Sequence, residues 1–187
     1  MSFLHEYGLA KDFKLNIEPN HTTLAMHAPE HDITMASAYG MLGSVDSNSG
    51  DTLLGWDTDQ FPMDLRDTTA IMGVILKQGG LAPGGLNFDA KVRRESVEPA
   101  DLFLAHIAAM DCYALGLRKA AAMQATMQAM VDERYLSWST DPIAAKIEKG
   151  EATLEECVAY AKQNGQPSPQ SAKQELFEAV RNRFMYG

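Results

Sequence analysis

Glu18 and His21 stand three residues apart, and Asp57 and Asp59 two apart. Glu18 closes the run Phe13-Lys14-Leu15-Asn16-Ile17-Glu18, Asp46 closes Gly43-Ser44-Val45-Asp46, and Asp89 closes Gly85-Leu86-Asn87-Phe88-Asp89. Each run is short and apolar enough to predict a β-strand, so an acid stands at the end of each. Functional groups of parallel α/β proteins gather at the C-terminal ends of strands. In an extended loop, Asp57 and Asp59 project to the same side. Five carboxylates and one imidazole are therefore expected at one mouth. One acid at a strand end is more often a helix cap or a solvated loop residue; the combination carries the argument. Carboxylates in contact push one pKa up, and unpaired buried charge costs several kcal/mol. Divalent cations relieve both. Oxygen ligands with a single nitrogen suit Mg²⁺ or Mn²⁺, with Co²⁺ accommodated through the imidazole. Five carboxylates exceed what one Mg²⁺ that keeps its waters needs, so two neighbouring metals are expected.

The elements that must position these groups alternate over the first hundred residues. After the first strand, 29–42 reads as a helix opened by Pro29, then the second strand, then a polar, glycine-containing loop over 47–62. Leu65 to Gln78 is a helix with Ile71, Val74 and Ile75 at helical spacing, stopped by Gly79-Gly80, and the third strand follows. This βαβαβ order implies parallel strands. From Pro99 only helical pattern is visible: 101–132, 142–149, 153–164 and 171–185. Phe3 to Leu9 reads as the end of a helix. The division is thus 1–98 and 99–187.

Net charge is −9 over 187 residues, which argues against nucleic acid or an anionic membrane surface as partner. Cys112 and Cys157 lie far apart in helical contexts, giving neither a disulfide framework nor zinc spacing, and read as free thiols in a reducing compartment. Met1 to Tyr7 lack a signal-peptide pattern, and no apolar run is expected to approach the roughly 20 residues of a membrane span. The expected location is cytoplasmic.

Four local stretches resemble xylose isomerases, the longer-chain class most closely. Leu15-Asn16-Ile17-Glu18-Pro19-Asn20-His21-Thr22-Thr23-Leu24-Ala25 is similar to the family's sixth barrel strand and its exit. Gly43-Ser44-Val45-Asp46-Ser47-Asn48, with Gly50-Asp51, is similar to the seventh. Leu54-Gly55-Trp56-Asp57-Thr58-Asp59-Gln60-Phe61-Pro62 resembles the metal loop that follows, and Gly84 to Arg94 resembles the eighth strand and its exit. The resemblance implies the last three strands of a (β/α)₈ TIM barrel followed by a C-terminal helical arm that wraps a neighbouring subunit. It implies that Glu18 bridges two metals, that Asp46 and Asp89 join it on the first, and that His21, Asp57 and Asp59 complete the second. The implied reaction is aldose–ketose isomerisation, D-xylose to D-xylulose by a metal-assisted hydride shift, with glucose as a further substrate.

The family's ring-opening His–Asp pair, its fifth-strand Glu and its substrate-binding Lys have no counterpart here, so no catalytic residue beyond the metal ligands is assigned. The expectation is a homo-oligomer, or pairing with a complementary N-terminal chain that completes the barrel for activity. A non-catalytic metal- or sugar-binding remnant and an oligomerisation module are the alternatives. Asn48 reads as a turn residue in preference to a substrate contact, and Lys91, Arg93 and Arg94 as solvated loop or interface charge. Trp56 reads equally as a wall of the sugar site or as loop packing. His27, His31 and His106 read as surface or helix-packing residues, and the inner sheet face as an apolar barrel lining.

Overall fold

The computed structural model describes residues 1–187. Two compact units divide at Ala122/Met123, a point inside one long helix. The first unit opens with α1 (Ser2–Glu6), β1 (Leu15–Ile17), α2 (Pro19–Leu24) and α3 (His31–Ala38). It continues with β2 (Leu42–Ser47), β3 (Ser49–Asp51), β4 (Trp56–Gln60), α4 (Leu65–Gln78) and β5 (Leu86–Phe88), and takes in α5 (Pro99–Tyr135) as far as residue 122. The second unit holds the rest of α5, then α6 (Ser137–Thr140), α7 (Pro142–Glu148), α8 (Leu154–Asn164) and α9 (Gln174–Tyr186).

β1, β2 and β5 form a three-stranded sheet in that order, with both pairings parallel. Register places Ile17 beside Val45 and Val45 beside Leu86, all on one face. Ile33 and Ala36 of α3, Ile71 and Ile75 of α4, and Tyr113 of α5 pack there with Leu42 and Val45 as the buried core. Strict alternation would turn Leu42 and Val45 to opposite faces. An irregularity in the β1–β2 register lets both point inward. Gly43 sits at this irregularity, where a Cβ would come within 2.6 Å of the Lys14 Cβ. α4 is bounded as its sequence dictates: Asp64 caps it by accepting from the backbone N–H of Arg66 and Asp67, and Gly79, at φ +95°, ends it.

Three expectations are corrected. The helix after Pro29 stops at Ala38, because Gly40, at φ +64°, turns the chain and Leu42 belongs to β2. The stretch 47–62 is no open loop: β3 and β4 pair antiparallel as a hairpin, with Gly55 at φ +67° in its turn. The opposite face of the main sheet is polar rather than apolar. Asn16 lies beside Ser44, and Asp46 beside Asn87. There Ser44 Oγ donates to Asn16 Oδ1 at 2.7 Å, and Asn16 Nδ2 donates to Asp46 Oδ2 at 2.6 Å.

α5 is also long and apolar enough, by length and composition alone, to cross a membrane, although Asp111, Arg118 and Lys119 interrupt it. Ala109, Tyr113 and Ala120 are its buried side, while Phe103, Ile107 and Met110 are more than half exposed.

The second unit is held largely by caps and polar contacts. Asp141 caps α7, with Pro142 in its first turn, and Thr153 and Glu156 form a capping box on α8. Lys146 pairs with Glu156 at 2.8 Å, Tyr160 donates to Asp141 at 2.6 Å, and Lys173 pairs with Glu133 at 2.6 Å. Leu136, Trp138, Leu154, Val158 and Leu176 are exposed.

Candidate metal centre

β1 delivers Glu18 at the point where strand gives way to helix. Its backbone is still extended, at φ −111° and ψ 108°, and it occupies the N-cap position of α2 without a side-chain capping bond, which leaves its carboxylate free for other partners; Pro19 stands in the first turn. One turn of helix brings His21 back over Glu18, with Nε2 3.4 Å from Glu18 Oε2. The β3–β4 hairpin brings in Asp57, whose Oδ2 lies 3.0 Å from the same Nε2. One ligand atom from each of Glu18, His21 and Asp57 lies within 4.8 Å of the others. The Asp57 hydrogen bond holds the His21 imidazole above its ordinary pKa, with the Glu18 charge adding to it and partial desolvation opposing. Two carboxylates and one imidazole of this spacing fit a divalent cation: the carboxylates are hard anionic donors, and the imidazole adds one borderline nitrogen.

Asp59 stands beside this cluster. Its backbone is left-handed, φ +42°, a conformation that aspartate tolerates better than most residues. Its Oδ2 lies 2.7 Å from the Lys91 ammonium. Contact with Asp57, then Lys91, holds Asp59 below the ordinary carboxylate range, and Asp59 in turn raises Lys91. Lys91 is therefore not simply solvated charge, but the counter-ion of a candidate ligand. The Lys91 N–H also donates to the Asp59 carbonyl at 2.8 Å, which ties the exit of β5 to β4.

Asp46 and Asp89 are not part of the three-residue cluster. Asp46 faces Asn16 on the sheet. Asp89 joins the network through its backbone carbonyl, which accepts from Asn48 Nδ2 at 3.0 Å.

Two asparagines matter more than their sequence context indicates. Asn48 is 2% exposed and donates to Glu18 Oε1 at 2.6 Å, so it is a buried donor rather than a turn residue. Asn20 is fully buried; its Nδ2 donates to Asp57 Oδ1 and its backbone N–H to Asn48 Oδ1 at 3.1 Å. A sequence signal for Asn20 existed in its place between Glu18 and His21 on one helical turn; Asn48 had none. Trp56 is 67% exposed on the hairpin. His106 packs edge-on against Phe61, with centroids 4.6 Å apart, and His27 stacks on His31 at 4.2 Å.

Parallel strands covered by helices on one face, with an imidazole and carboxylates gathered at their C-terminal ends, define a candidate divalent-cation centre of an α/β protein. Comparison with known proteins shows what the chain is similar to. The chain is 50% identical over 187 residues to xylose isomerase 1 of Xanthomonas campestris and to the xylose isomerase of Geobacillus stearothermophilus, alignments covering 99% of this chain. It is 50% identical over 186 residues to the xylose isomerase of Phocaeicola vulgatus, covering 98% of this chain. Residues 131–185 match the family described as XylA2 C-terminal domain. The chain is thus similar along its whole length to the C-terminal part of xylose isomerases, and it spans 42% of the length of these relatives.

Proposed function

We propose that this chain supplies the metal-binding part of a xylose isomerase, and that aldose–ketose isomerisation needs the rest of a barrel around it. The observation that carries this reading is the convergence of Glu18, His21 and Asp57 within 4.8 Å, in a chain half identical to xylose isomerases over its whole length. Glu18, His21, Asp57 and Asp59 would hold one divalent cation, Mg²⁺ or Mn²⁺, with Co²⁺ also accepted. Asp46 and Asp89 would join Glu18 on a second. When bound, such cations act as Lewis acids toward a sugar carbonyl and its hydroxyls. The chain's own residues do the rest of the work on this side of the site. The carboxylates supply the negative charge of the centre, and His21 would offer its neutral ring nitrogen to a bound cation. Lys91 balances Asp59 in the meantime.

In this reading β1, β2 and β5 are the last three strands of a (β/α)₈ barrel and residues 1–98 its C-terminal portion. Residues 99–187 are the helical segment and oligomerisation arm. The parallel order of the strands, the helices packed on one face, and the acids that follow β1 and β5 support it. Three strands cannot close a barrel that needs eight, and both outer strands leave backbone groups unpaired. The remaining strands come from a complementary N-terminal part, and the exposed apolar residues of the second unit are covered by another copy. The substrate is a small aldose, xylose foremost and glucose secondarily, and the setting is the cytoplasm.

The test is xylose isomerisation with Mg²⁺ or Mn²⁺, measured on the purified chain and again after adding a separately expressed N-terminal part. Weak or no turnover alone and turnover after addition are expected. Cation binding without turnover in either case would favour the non-catalytic binding reading.

A further inference from the structure

We propose that Asn48 and Asn20 are positioning residues that orient the Glu18 and Asp57 carboxylates toward the cation; this rests on the metal-binding reading above. Each buried carboxamide takes one oxygen of one carboxylate and leaves the other facing His21. Asn48 Nδ2 holds Glu18 Oε1 at 2.6 Å, and the oxygen turned toward His21 is Oε2, at 3.4 Å. Asn20 Nδ2 holds Asp57 Oδ1, and the oxygen turned toward His21 is Oδ2, at 3.0 Å.

The network fixes which way each amide points. Asn48 Oδ1 accepts the Asn20 backbone N–H at 3.1 Å, so its NH₂ group must face the acids. That NH₂ has two hydrogens. Glu18 Oε1 and the Asp89 carbonyl, at 2.6 and 3.0 Å, claim both, and Asp59 Oδ1 lies at the outer limit of 3.5 Å. Reversing Asn20 would set its oxygen against the Asp57 carboxylate. Its Oδ1 is instead buried without a hydrogen-bond partner, against Gly50, where a Cβ would stand 1.8 Å from it. Leaving a buried oxygen unpaired forfeits the hydrogen bonds it would make to water. It is tolerated here because the alternative places like partial charges in contact. Gly50 is thus required by a side chain one layer behind the site, though its own backbone is unremarkable.

Three measurements test the assignment. Mn²⁺ titration followed by electron paramagnetic resonance should show binding to the unmodified chain and dissociation constants about 10–100 times higher for Asn48→Ala and Gly50→Ala, the range usual for outer-shell partners of metal ligands. The absorption spectrum at saturating Co²⁺ should also change in both variants. A purely structural loss would weaken binding but leave the saturated spectrum unaltered. In the unmodified chain, Mg²⁺ should shift the side-chain amide NMR signals of Asn20 and Asn48 and leave that of Asn164, in the second unit, in place. This last measurement decides the matter if a variant fails to fold. An unmodified chain that binds no Mn²⁺ overturns the metal-binding reading and this inference with it. Binding by the unmodified chain, with unchanged affinity and Co²⁺ spectrum in the variants or unmoved amide signals, overturns this inference alone.

Discussion

Asp67→Asn should stabilise the protein at neutral pH and lose that advantage in acid. Asp67 lies in the first turn of α4, half-buried, and lines a cavity of about 60 Å³ together with Asp64, Thr23 and Tyr113. Desolvation, then the charges of Asp64 and Glu30, push its carboxyl up from 3.8 to about 6. At 1.36 kcal/mol per unit, a shift of this size is worth up to about 3 kcal/mol. Solvent screens a group this exposed, and the N-terminus of α4 attracts its negative charge by about 0.3–1 kcal/mol. About 1 kcal/mol of net penalty is left. The native-state pKa lies above the unfolded one, so the native state binds more protons between about pH 4 and 6. Stability therefore falls as pH rises through that window, and above it the penalty is complete. Urea unfolding followed by far-UV circular dichroism should place Asp67→Asn about 1 kcal/mol above the parent at pH 7.5, with the difference gone by pH 4. Equal curves at both pH values, or a variant equally destabilised at both, would refute the account of a desolvated carboxylate.

Chelation should lower the melting temperature and Mg²⁺ or Mn²⁺ restore it. A cation at 100 times its dissociation constant adds about 2.7 kcal/mol, or about 5–10 °C for a chain of this size; an unchanged melt in excess chelator would count against cation binding. His21→Ala should weaken the tighter of two calorimetric sites at least tenfold, about 1.4 kcal/mol, while Asp46→Ala should act chiefly on the weaker one and Glu18→Ala on both. Metal affinity should also fall on acidification, because the proton that Asp57 and Glu18 hold on His21 must leave before the ring can ligate; an affinity independent of pH between 5 and 8, read by calorimetry, would remove the imidazole from the ligand set. Gly116→Ala should destabilise the first unit by about 1–3 kcal/mol through overpacking, since its Cβ would stand 2.8 Å from Thr68 Oγ1 and 3.0 Å from the Thr68 carbonyl carbon; denaturant unfolding that shows a gain, as helix propensity alone demands, would show that α5 yields at this crossing.

Local signals carried the sequence reading as far as local physics reaches. α4 was legible end to end because its apolar spacing, its Asp64 cap and its Gly79 stop agree. Glu18 and Asp89 were legible because each directly follows a short strand, whereas Asp46, expected to close one, lies inside β2, with Ser47 after it. Errors fell where signals were weak or overlooked. Pro19 marks a helix first turn, but α2 is only six residues long and polar, and the strand signal ending at Glu18 masks it. Gly40 marks the stop of α3, but apolar Met41 and Leu42 continue the helical spacing past it. The hairpin of Trp56–Gln60 is polar along its length, with Asp57 and Asp59 where a half-buried strand would carry apolar residues. Nothing near Asn48 in the chain announces that it is buried. Its partners are 28 to 41 residues away, and only the assembled sheet brings them within reach.

The polar face of the main sheet changes what that surface is for. Asn16, Ser44, Asp46 and Asn87 occupy positions where an apolar lining was expected. Alternation carries the same face onward to Glu18 and Asp89, each two residues beyond an asparagine. An apolar face left open to water would cost about 25 cal/mol per Å² of unburied surface and would favour indiscriminate association. A hydrogen-bonded polar row carries no such cost, so burial of this face is not what would drive completion of the sheet. Under the proposed function, the surfaces that would drive it are the unpaired edges of β1 and β5 and the exposed apolar residues of α5. The face between those edges is left for chemistry: a row of amides and hydroxyls leading to acids that, under the proposed function, meet divalent cations. Its buried side and its polar side do different work, and the register shift that turns both Leu42 and Val45 inward is what keeps the two apart.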